Sequence, residues 1–516
     1  MQNFNWTKLQ NGSDIRGIAL EGIPDEKVNL TPEIATILGQ AFVHWLAQKI
    51  NKPAAELTIS IGRDSRLSGP TLMQAVMEGI ASVGSQVYDF EMASTPAMFM
   101  STITSGFTCD GAIMLTASHL PFNRNGLKFF TAQGGLQKKD ITDILTLAEA
   151  NNFQLAATKG NITKHDFISV YANQFVTKIR EAVNHPDNFE QPLTGLKIVV
   201  DAGNGAGGFY VDKVLKPLGA DTTGSQFLDP DGTFPNHVPN PEDKAAMQSI
   251  CQAVIKHQAD FGIIFDTDVD RSAAVDRTGK ELNRNRLIAL ISAIILKEHP
   301  GSTIVTDSIT SDGLTQFIEE DLKGIHHRFK RGYKNVIDES IRLNQSGQES
   351  WLAIETSGHG ALQENYFLDD GAYLVSKLLI ELAKAKLANQ SLPDLIANLK
   401  EPEESAEFRI KIAVDDFKSH GNSIIEKLQE FAAMQTDWQI VPNNYEGLRI
   451  SCVSANEDGW FLLRLSLHDP VMPLNVESNV KGGVARIAKR LLAFFQMQES
   501  LDLSPLLHKY GSPLNN

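Results

Sequence analysis

Cysteine is almost absent: Cys109, Cys251 and Cys452 are the only three in 516 residues, and they form no CxxC pair. A disulfide framework is therefore excluded and a reduced compartment is expected. Long hydrophobic runs are missing too. The most apolar stretch, Leu287-Ile-Ala-Leu-Ile-Ser-Ala-Ile-Ile-Leu296, runs straight into Lys297-Glu298 and falls short of the ~20 residues a bilayer span requires, so it reads as a buried helix. Met1-Gln-Asn-Phe-Asn-Trp6 lacks the basic-then-apolar pattern of a secretory signal. Nor is there a basic surplus, since 47 Lys and Arg against 62 Asp and Glu leave a formal net charge of −15. That argues against a general nucleic-acid surface, whose affinity comes from clustered cations. It leaves room for a small anion held by a local group of Arg and Lys. A cytoplasmic protein is expected, with neither membrane nor nucleic acid as partner.

What is present is a repeated alternation of short β-rich runs with amphipathic helical stretches. Leu57–Gly62 is followed by a helical Thr71–Val83 and a β-like Gln86–Phe90; Leu196–Asp201 precedes a Gly-rich turn and a helix near Tyr210–Leu218. Phe261–Phe265 and Thr303–Thr306 continue the pattern. Strands separated by helices of this length imply βα units and mixed, largely parallel sheets, hence an α/β fold. The last segment differs, mixing strands at Phe408–Ile412, Gly447–Ser451 and Trp460–Leu465 with helices at Ser423–Ala432 and Val484–Phe495, and reads as a smaller α+β domain. Breaks at His185-Pro-Asp-Asn, Glu298-His-Pro-Gly-Ser302 and the acidic Lys400-Glu-Pro-Glu-Glu-Ser405 divide the chain into 1–185, 186–299, 300–402 and 403–516.

Four polar strings stand out. The apolar run Gly111–Leu115 delivers Thr116-Ala-Ser-His-Leu-Pro-Phe-Asn-Arg-Asn-Gly-Leu-Lys128, in which Ser118 is a nucleophile with His119 beside it and Lys128 further along the loop. Gly262-Ile-Ile-Phe265 ends in Asp266-Thr-Asp-Val-Asp-Arg271, three alternating carboxylates that an extended chain would send to one face and that would repel one another without a cation. All-oxygen ligation suits a hard ion such as Mg²⁺. An EF-hand is excluded, because Arg271 stands where Gly is needed and Arg277 where an acid is needed. Phe265-Asp-Thr-Asp-Val269 also satisfies the apolar-strand-DxDx(T/V) signature of an aspartyl phosphatase, with Asp266 as nucleophile. In Ala353-Ile-Glu-Thr-Ser-Gly-His359, Glu355 and Ser357 can bond sugar hydroxyls and His359 can move a proton. Arg464, Ser466 and His468 lie in Arg464-Leu-Ser-Leu-His-Asp-Pro470, where a guanidinium and a hydroxyl suit phosphate.

Taken in order, these strings resemble the loops of the α-D-phosphohexomutases. TASHLPFNRNGLK is similar to the phosphoserine loop TASHNPxxxNGxK, with Leu120 replacing asparagine. DTDVDR resembles the metal loop DxDGDR, with Val269 where glycine is usual; ETSGH resembles the sugar loop GExSGH, with Ile354 for glycine. The string from Arg464 resembles the phosphate loop RxSGTEP, with Leu467 and His468 replacing Gly and Thr. Asp14-Ile-Arg-Gly17 resembles the DIRG element, and Gly62-Arg-Asp-Ser-Arg-Leu-Ser-Gly69 resembles GRDxRxSG, read as structural support.

The resemblance implies three successive α/β domains and a smaller C-terminal α+β domain around a central cleft. It implies that phosphorylated Ser118 exchanges phosphoryl groups with a hexose phosphate through a 1,6-bisphosphate, which also serves as activator. Mg²⁺ would sit on Ser118, Asp266, Asp268 and Asp270. Arg16 and Arg271 would stabilise charge, and Lys128 and His359 would carry protons. Glu355, Ser357, His359, Lys334, Arg464, Ser466 and His468 would hold substrate. Mannose and glucose phosphates are the expected substrates, glucosamine phosphate the alternative, with a monomer or homodimer as the assembly.

Overall fold

The computed structural model describes residues 4–466 and 469–511. The described residues up to Asn283 with Ser357–Leu395 form one compact unit, and Arg284–Thr356 with the residues from Ile396 onward form the other.

In the first unit, Gly111–Leu115 is buried at every position, as its unbroken apolar run demands of a strand covered on both faces. It pairs in parallel with Thr58–Arg63, which pairs in parallel with Gln86–Met92. On its other side Arg124–Thr131 runs antiparallel, and beyond it Asp14–Ile18. The helix Pro32–Ile50 begins with proline in its first turn and with the Thr31 side chain accepting from Ile34 N–H. With the helix Gly69–Ser82 it covers a core that includes Phe42, Leu46, Ile61, Val76, Ile113 and Phe129. A second sheet runs Glu281–Leu282, Ser272–Asp276, Phe261–Phe265, Ile198–Asp201, the last two in parallel. A hairpin of Gly360–Leu362 and Leu368–Asp369 precedes the helix Gly371–Leu387, capped by Asp370.

The second unit contains Thr303–Thr306, parallel to both Ile325–Arg328 and Ser350–Ile354, with the helices Arg284–Glu298 and Tyr333–Gln345. Its C-terminal sheet orders six strands as Trp438–Ile440, Leu448–Cys452, Gly459–Leu463, Val471–Ser478, Glu404–Ile412 and Leu501–Asp502, every pair antiparallel. The helices Phe417–Ala433 and Gly483–Phe495 pack on it. The α/β architecture with an antiparallel C-terminal part is thus the one expected. No helix among the described residues is long and apolar enough to cross a membrane.

Three local expectations are corrected. Lys128 is not on a loop: it sits inside the strand Arg124–Thr131, opposite Met114, because the turn closes earlier, at Arg124 N–H to Pro121 C=O. The helix near Tyr210–Leu218 is shorter at its end: regular helix stops at Leu215 and the chain continues in turns, with Lys216 still in a helical conformation and Leu218 N–H on Val214 C=O at 3.3 Å. Asp266–Asp270 is a turn rather than an extended strand end, and Val269 adopts φ 66°. The carboxylates converge by turning, not by alternation.

Candidate active site

The string Thr116–Lys128 is built by a strand, a strained turn and a returning strand. Ser118 follows the buried Gly111–Leu115 with φ 50°, a left-handed backbone that costs a non-glycine residue energy unless its surroundings impose it. Thr116 Oγ1 accepts from Ser118 N–H at 2.9 Å. Arg66, fully buried, donates to the carbonyls of Pro121 (2.8 Å), Arg124 (2.9 Å), Leu120 (2.6 Å) and Ser118. Arg66, expected as structural support, is the post on which the Ser118 loop hangs. Gly126 is required where this strand passes Asp14–Ile18, since a Cβ there would lie 2.3 Å from Ile15 C=O.

Ser118 Oγ lies 3.2 Å from Asp266 Oδ2, to which it donates, and accepts from Arg271 Nη2 at 3.0 Å. Arg271 Nη2 also reaches His119 Nδ1 at 2.7 Å, and Nε donates to Asp266 Oδ2 at 3.1 Å. Asp266, Asp268 and Asp270 are all buried, and one oxygen from each lies within 4.8 Å of the others. Lys128 Nζ bonds Asp268 Oδ2 at 3.2 Å and Asp270 Oδ2 at 2.5 Å. Thr95, at the start of the helix Thr95–Met100, donates to Asp268 Oδ2 at 2.5 Å through its hydroxyl and to Asp268 C=O through its N–H. Thr95 was missed by the sequence reading; only the local Ser94-Thr95-Pro96 helix start hinted at an ordered turn there.

The charges are unequal in consequence. Burial, then Asp270 and Asp268, push the Asp266 carboxyl well above the usual carboxylate range. Burial pushes Asp270 the same way, but the cations Lys128 and Arg271 outweigh it and hold this carboxyl below that range. Burial, with Arg271 and Lys128 adding repulsion, keeps His359 neutral, with Ser357 Oγ on its Nδ1 at 2.8 Å and Asp369 3.5 Å from its Nε2. Burial of its inner edge, Arg271 and Arg16 drive His119 the same way. Arg16 pairs with Asp14 at 3.1 Å. Gly358 (φ 93°) lets the His359 loop approach the metal turn, where a Cβ would lie 2.6 Å from Ser272 C=O. The first unit thus gathers Ser118, His119, Lys128, Arg271, His359 and the three aspartates, with Ser357 on His359.

The remaining expected residues belong to the second unit. Glu355 follows the strand Ser350–Ile354, whose buried Ile354 explains the missing glycine, and accepts from Gly332 N–H at 2.6 Å. Lys334 pairs with Asp338 at 3.6 Å along its own helix. Arg464 Nη1 lies 3.8 Å from Glu446, whose other carboxylate oxygen accepts from Ser308 Oγ at 2.5 Å and Arg331 N–H at 3.1 Å. Ser466 N–H bonds Val471 C=O at 2.9 Å, and its Oγ accepts from Asp469 N–H at 3.3 Å. His468 lies outside the described residues.

The donor set at Asp266, Asp268 and Asp270 fits a hard divalent cation. It is all oxygen, and Oδ1 of Asp268 and Oδ1 of Asp270, both buried, accept no hydrogen bond from any described residue.

Comparison with known proteins gives the same order of parts. The models of phosphoglucomutase/phosphomannomutase α/β/α domains I, II and III match residues 7–155, 173–279 and 283–402. The phosphoglucomutase of Neisseria meningitidis serogroup A is 30% identical over 490 residues, 95% of this chain and 96% of its own. A phosphomannomutase/phosphoglucomutase of Pseudomonas putida is 31% identical over 450 residues, 86% of this chain and 89% of its own. Among solved structures, a phosphoglucomutase/phosphomannomutase family protein from Burkholderia thailandensis superposes with a TM-score of 0.74 at 27% identity, covering 94% of this chain and 96% of its own. The open form of Paramecium parafusin gives 0.70 at 17% identity, a likeness of fold, over 97% of this chain and 95% of its own. With three consecutive domain models matched and relatives aligned over nearly their whole length, the chain belongs to the phosphoglucomutase/phosphomannomutase family, the α-D-phosphohexomutases.

Proposed function

We propose that this chain is an isomerase that interconverts hexose 1-phosphate and hexose 6-phosphate, with mannose and/or glucose as the sugar, through a phosphorylated Ser118. The observation that carries the reading is Ser118 itself: a buried nucleophile on a left-handed turn, held between Arg271 and Asp266. The relatives favour these sugars, one being a phosphoglucomutase and another a phosphomannomutase/phosphoglucomutase.

In the proposed cycle a hydroxyl of the hexose phosphate attacks the phosphorus on Ser118. The P–Oγ bond breaks as the sugar O–P bond forms, and the hydroxyl proton passes to a base. The bisphosphate then returns its other phosphate to Ser118 and leaves as the isomer. Arg271 Nη2, already on Oγ, holds the leaving oxygen, and Arg16 adds positive charge nearby. Lys128, held by two carboxylates, and His359 are the proton carriers, sharing the acid and base steps between them. Asp266, Asp268, Asp270 and Ser118 would hold Mg²⁺, which when bound supplies charge neutralisation for the transferring group. Glu355, Ser357, His359 and Lys334 contact the sugar, and Arg464, Ser466 and His468 anchor the phosphate that is not reacting. His119 orients Ser118 and Arg271. The nucleophile, metal, sugar and phosphate parts fall in 1–185, 186–299, 300–402 and 403–516. The enzyme works in the cytoplasm as a monomer or homodimer, with hexose 1,6-bisphosphate as activator.

The test follows isomerisation of mannose 1-phosphate and glucose 1-phosphate with Mg²⁺ and trace bisphosphate, and free phosphate in parallel, for wild type, Ser118→Ala and Asp266→Asn. Ser118→Ala must abolish isomerisation. Phosphate release that survives Ser118→Ala but not Asp266→Asn would sink the mutase in favour of an aspartyl phosphatase. The alternative sugar, glucosamine phosphate, is run alongside.

A further inference from the structure

The loop Asn236-His-Val-Pro-Asn-Pro241 lies outside every residue assigned a role above, yet it touches the centre of the site. Asn240 Oδ1 accepts from Arg271 Nη1 at 3.0 Å. This closes the third edge of a planar fork whose Nε bonds Asp266 and whose Nη2 bonds Ser118 and His119. Asn240 is itself fixed: the same oxygen accepts from Glu242 N–H at 3.0 Å, its N–H bonds Val238 C=O at 2.8 Å, and its C=O takes Asp243 N–H at 2.9 Å.

Behind it stands a buried ion pair. His237 Nε2 meets both oxygens of Asp201, at 3.0 and 3.1 Å, while Nδ1 meets Val238 C=O at 2.9 Å. Both ring nitrogens therefore face acceptors, an arrangement that favours the doubly protonated ring. Asp201, at the end of the strand Ile198–Asp201, also accepts from Gln226, Ser249 and Gly203 N–H. The sheet thus reaches Arg271 through Asp201, His237, Val238 and Asn240.

We propose that Asn240, pinned by the His237–Asp201 pair, is a positioning residue that sets the plane of the Arg271 guanidinium and through it the aim of Ser118. Without the Asn240 acceptor, Nη1 loses its 3.0 Å bond, and the guanidinium is drawn by the other carboxylates around it, Asp270, 3.9 Å from Nε, and Glu242. Nη2 then leaves Ser118. The bonds of Asn240 go to Arg271, Glu242, Val238 and Asp243, none of them assigned to the sugar or its distal phosphate, so its loss acts on turnover and not on substrate affinity.

The inference rests on the mutase reading and is tested beside it. Asn240→Ala lowers kcat about tenfold, the usual cost of removing a group that orients a reacting one, and leaves KM within about twofold. Asn240→Asp keeps the acceptor and restores kcat to within about threefold of wild type. Asn240→Ala added to Arg271→Lys costs nothing further, since both remove the same alignment. An unchanged kcat in Asn240→Ala, an Asn240→Asp as slow as Asn240→Ala, or additive losses with Arg271→Lys would overturn it; thermal unfolding of each variant separates misfolding from misalignment. A wild type that isomerises no hexose phosphate defeats the mutase reading alone. In that event the positioning is read from hydrogen exchange at the Arg271 guanidinium, which Asn240→Ala must accelerate and Asn240→Asp must not.

Discussion

The two compact units keep their functional charges in opposite ways. In the first, Ser118, Asp266, Asp268, Asp270, Lys128 and Arg271 are buried and bonded to one another, so the site is organised before any ligand arrives. In the second, Glu355, Lys334, Arg464 and Ser466 each meet a different local partner, a backbone N–H, a helix neighbour, a 3.8 Å carboxylate and a strand carbonyl. Arg464 Nε, though buried, has no hydrogen-bond acceptor among the described residues. The lesson concerns the proposed site residues alone: in the first unit Lys128 and Arg271 are committed to internal bonds, whereas in the second Arg464 keeps an edge that the proposed function gives to a bound anion. Removing a cation bonded internally should therefore hurt stability, and removing Arg464 should hurt affinity.

The largest effect is expected at Arg66. Arg66→Met removes bonds to four carbonyls and leaves Asp64 buried beside an apolar side chain, 3.4 Å from where Arg66 Nε had been. Breaking a buried pair from one side costs about 3–5 kcal/mol, and chemical denaturation should show a loss of that size, with activity falling along with it. An unchanged midpoint would mean that the nucleophile loop holds its shape without Arg66, and the comparison would fail at its strongest point.

How much of this was legible from sequence depends on how far apart the partners lie. Strands Phe261–Phe265 and Thr303–Thr306 follow from apolar runs alone, and helices such as Phe167–Val183 announce their starts with a capping Asp166. Ser118, the aspartates and His359 could be named because each sits in a short string with its own chemistry. Thr95 and Asn240 could not, and Arg66 was legible as support but not for what it supports. Their partners are 173, 31 and 52 to 58 residues away, and nothing in Ser94-Thr95-Pro96 or Pro239-Asn240-Pro241 marks them as site residues. Turn residues from Pro121 to Gly126 precede Lys128 and suggest a loop, whereas pairing with Gly111–Leu115 and Asp14–Ile18 extends the strand back to Arg124.

A pH series sharpens the comparison in the second unit. Burial pushes the Glu477 carboxyl up to about 7, against an ordinary 4.5, with Arg449 and the Trp460 Nε1 hydrogen bond at 2.9 Å only partly offsetting it. The folded state therefore binds the extra proton, and this group's contribution to stability is full below pH 4.5 and declines as pH rises to 7. Glu477→Gln keeps the acceptor for Trp460 without the charge. It should match wild type near pH 4.5 and exceed it at pH 8 by on the order of 2 kcal/mol. Parallel stability curves would show that Arg449 already neutralises the pair.

Arg464→Ala tests the ligand side. A hydrogen bond to a charged group is worth about 1.5–3 kcal/mol, so KM for the hexose phosphate should rise roughly 10- to 100-fold while the unfolding midpoint stays put. A destabilised Arg464→Ala with normal KM would move this arginine into the same class as Arg66.

The smallest effect is expected where two terms oppose, at Val269. A β-branched residue at φ 66° carries strain of about 1–3 kcal/mol, yet Val269 is fully buried, and its carbonyl accepts from Gly371 N–H at 3.1 Å. Val269→Gly relieves the strain but loses about 1.5–3 kcal/mol of side-chain burial and adds the freedom of glycine to the unfolded chain. The sum should be a loss of about 1 kcal/mol, read by denaturation in the absence of Mg²⁺. Because neighbouring bonds, Thr95 on Asp268 and Lys128 on Asp270, fix the carboxylates independently, Mg²⁺ affinity by calorimetry should change less than about threefold. A gain in stability would show that the valine is held there against its packing. A collapse in Mg²⁺ affinity would show that the strained turn, and not the buried bonds around it, organises the three aspartates.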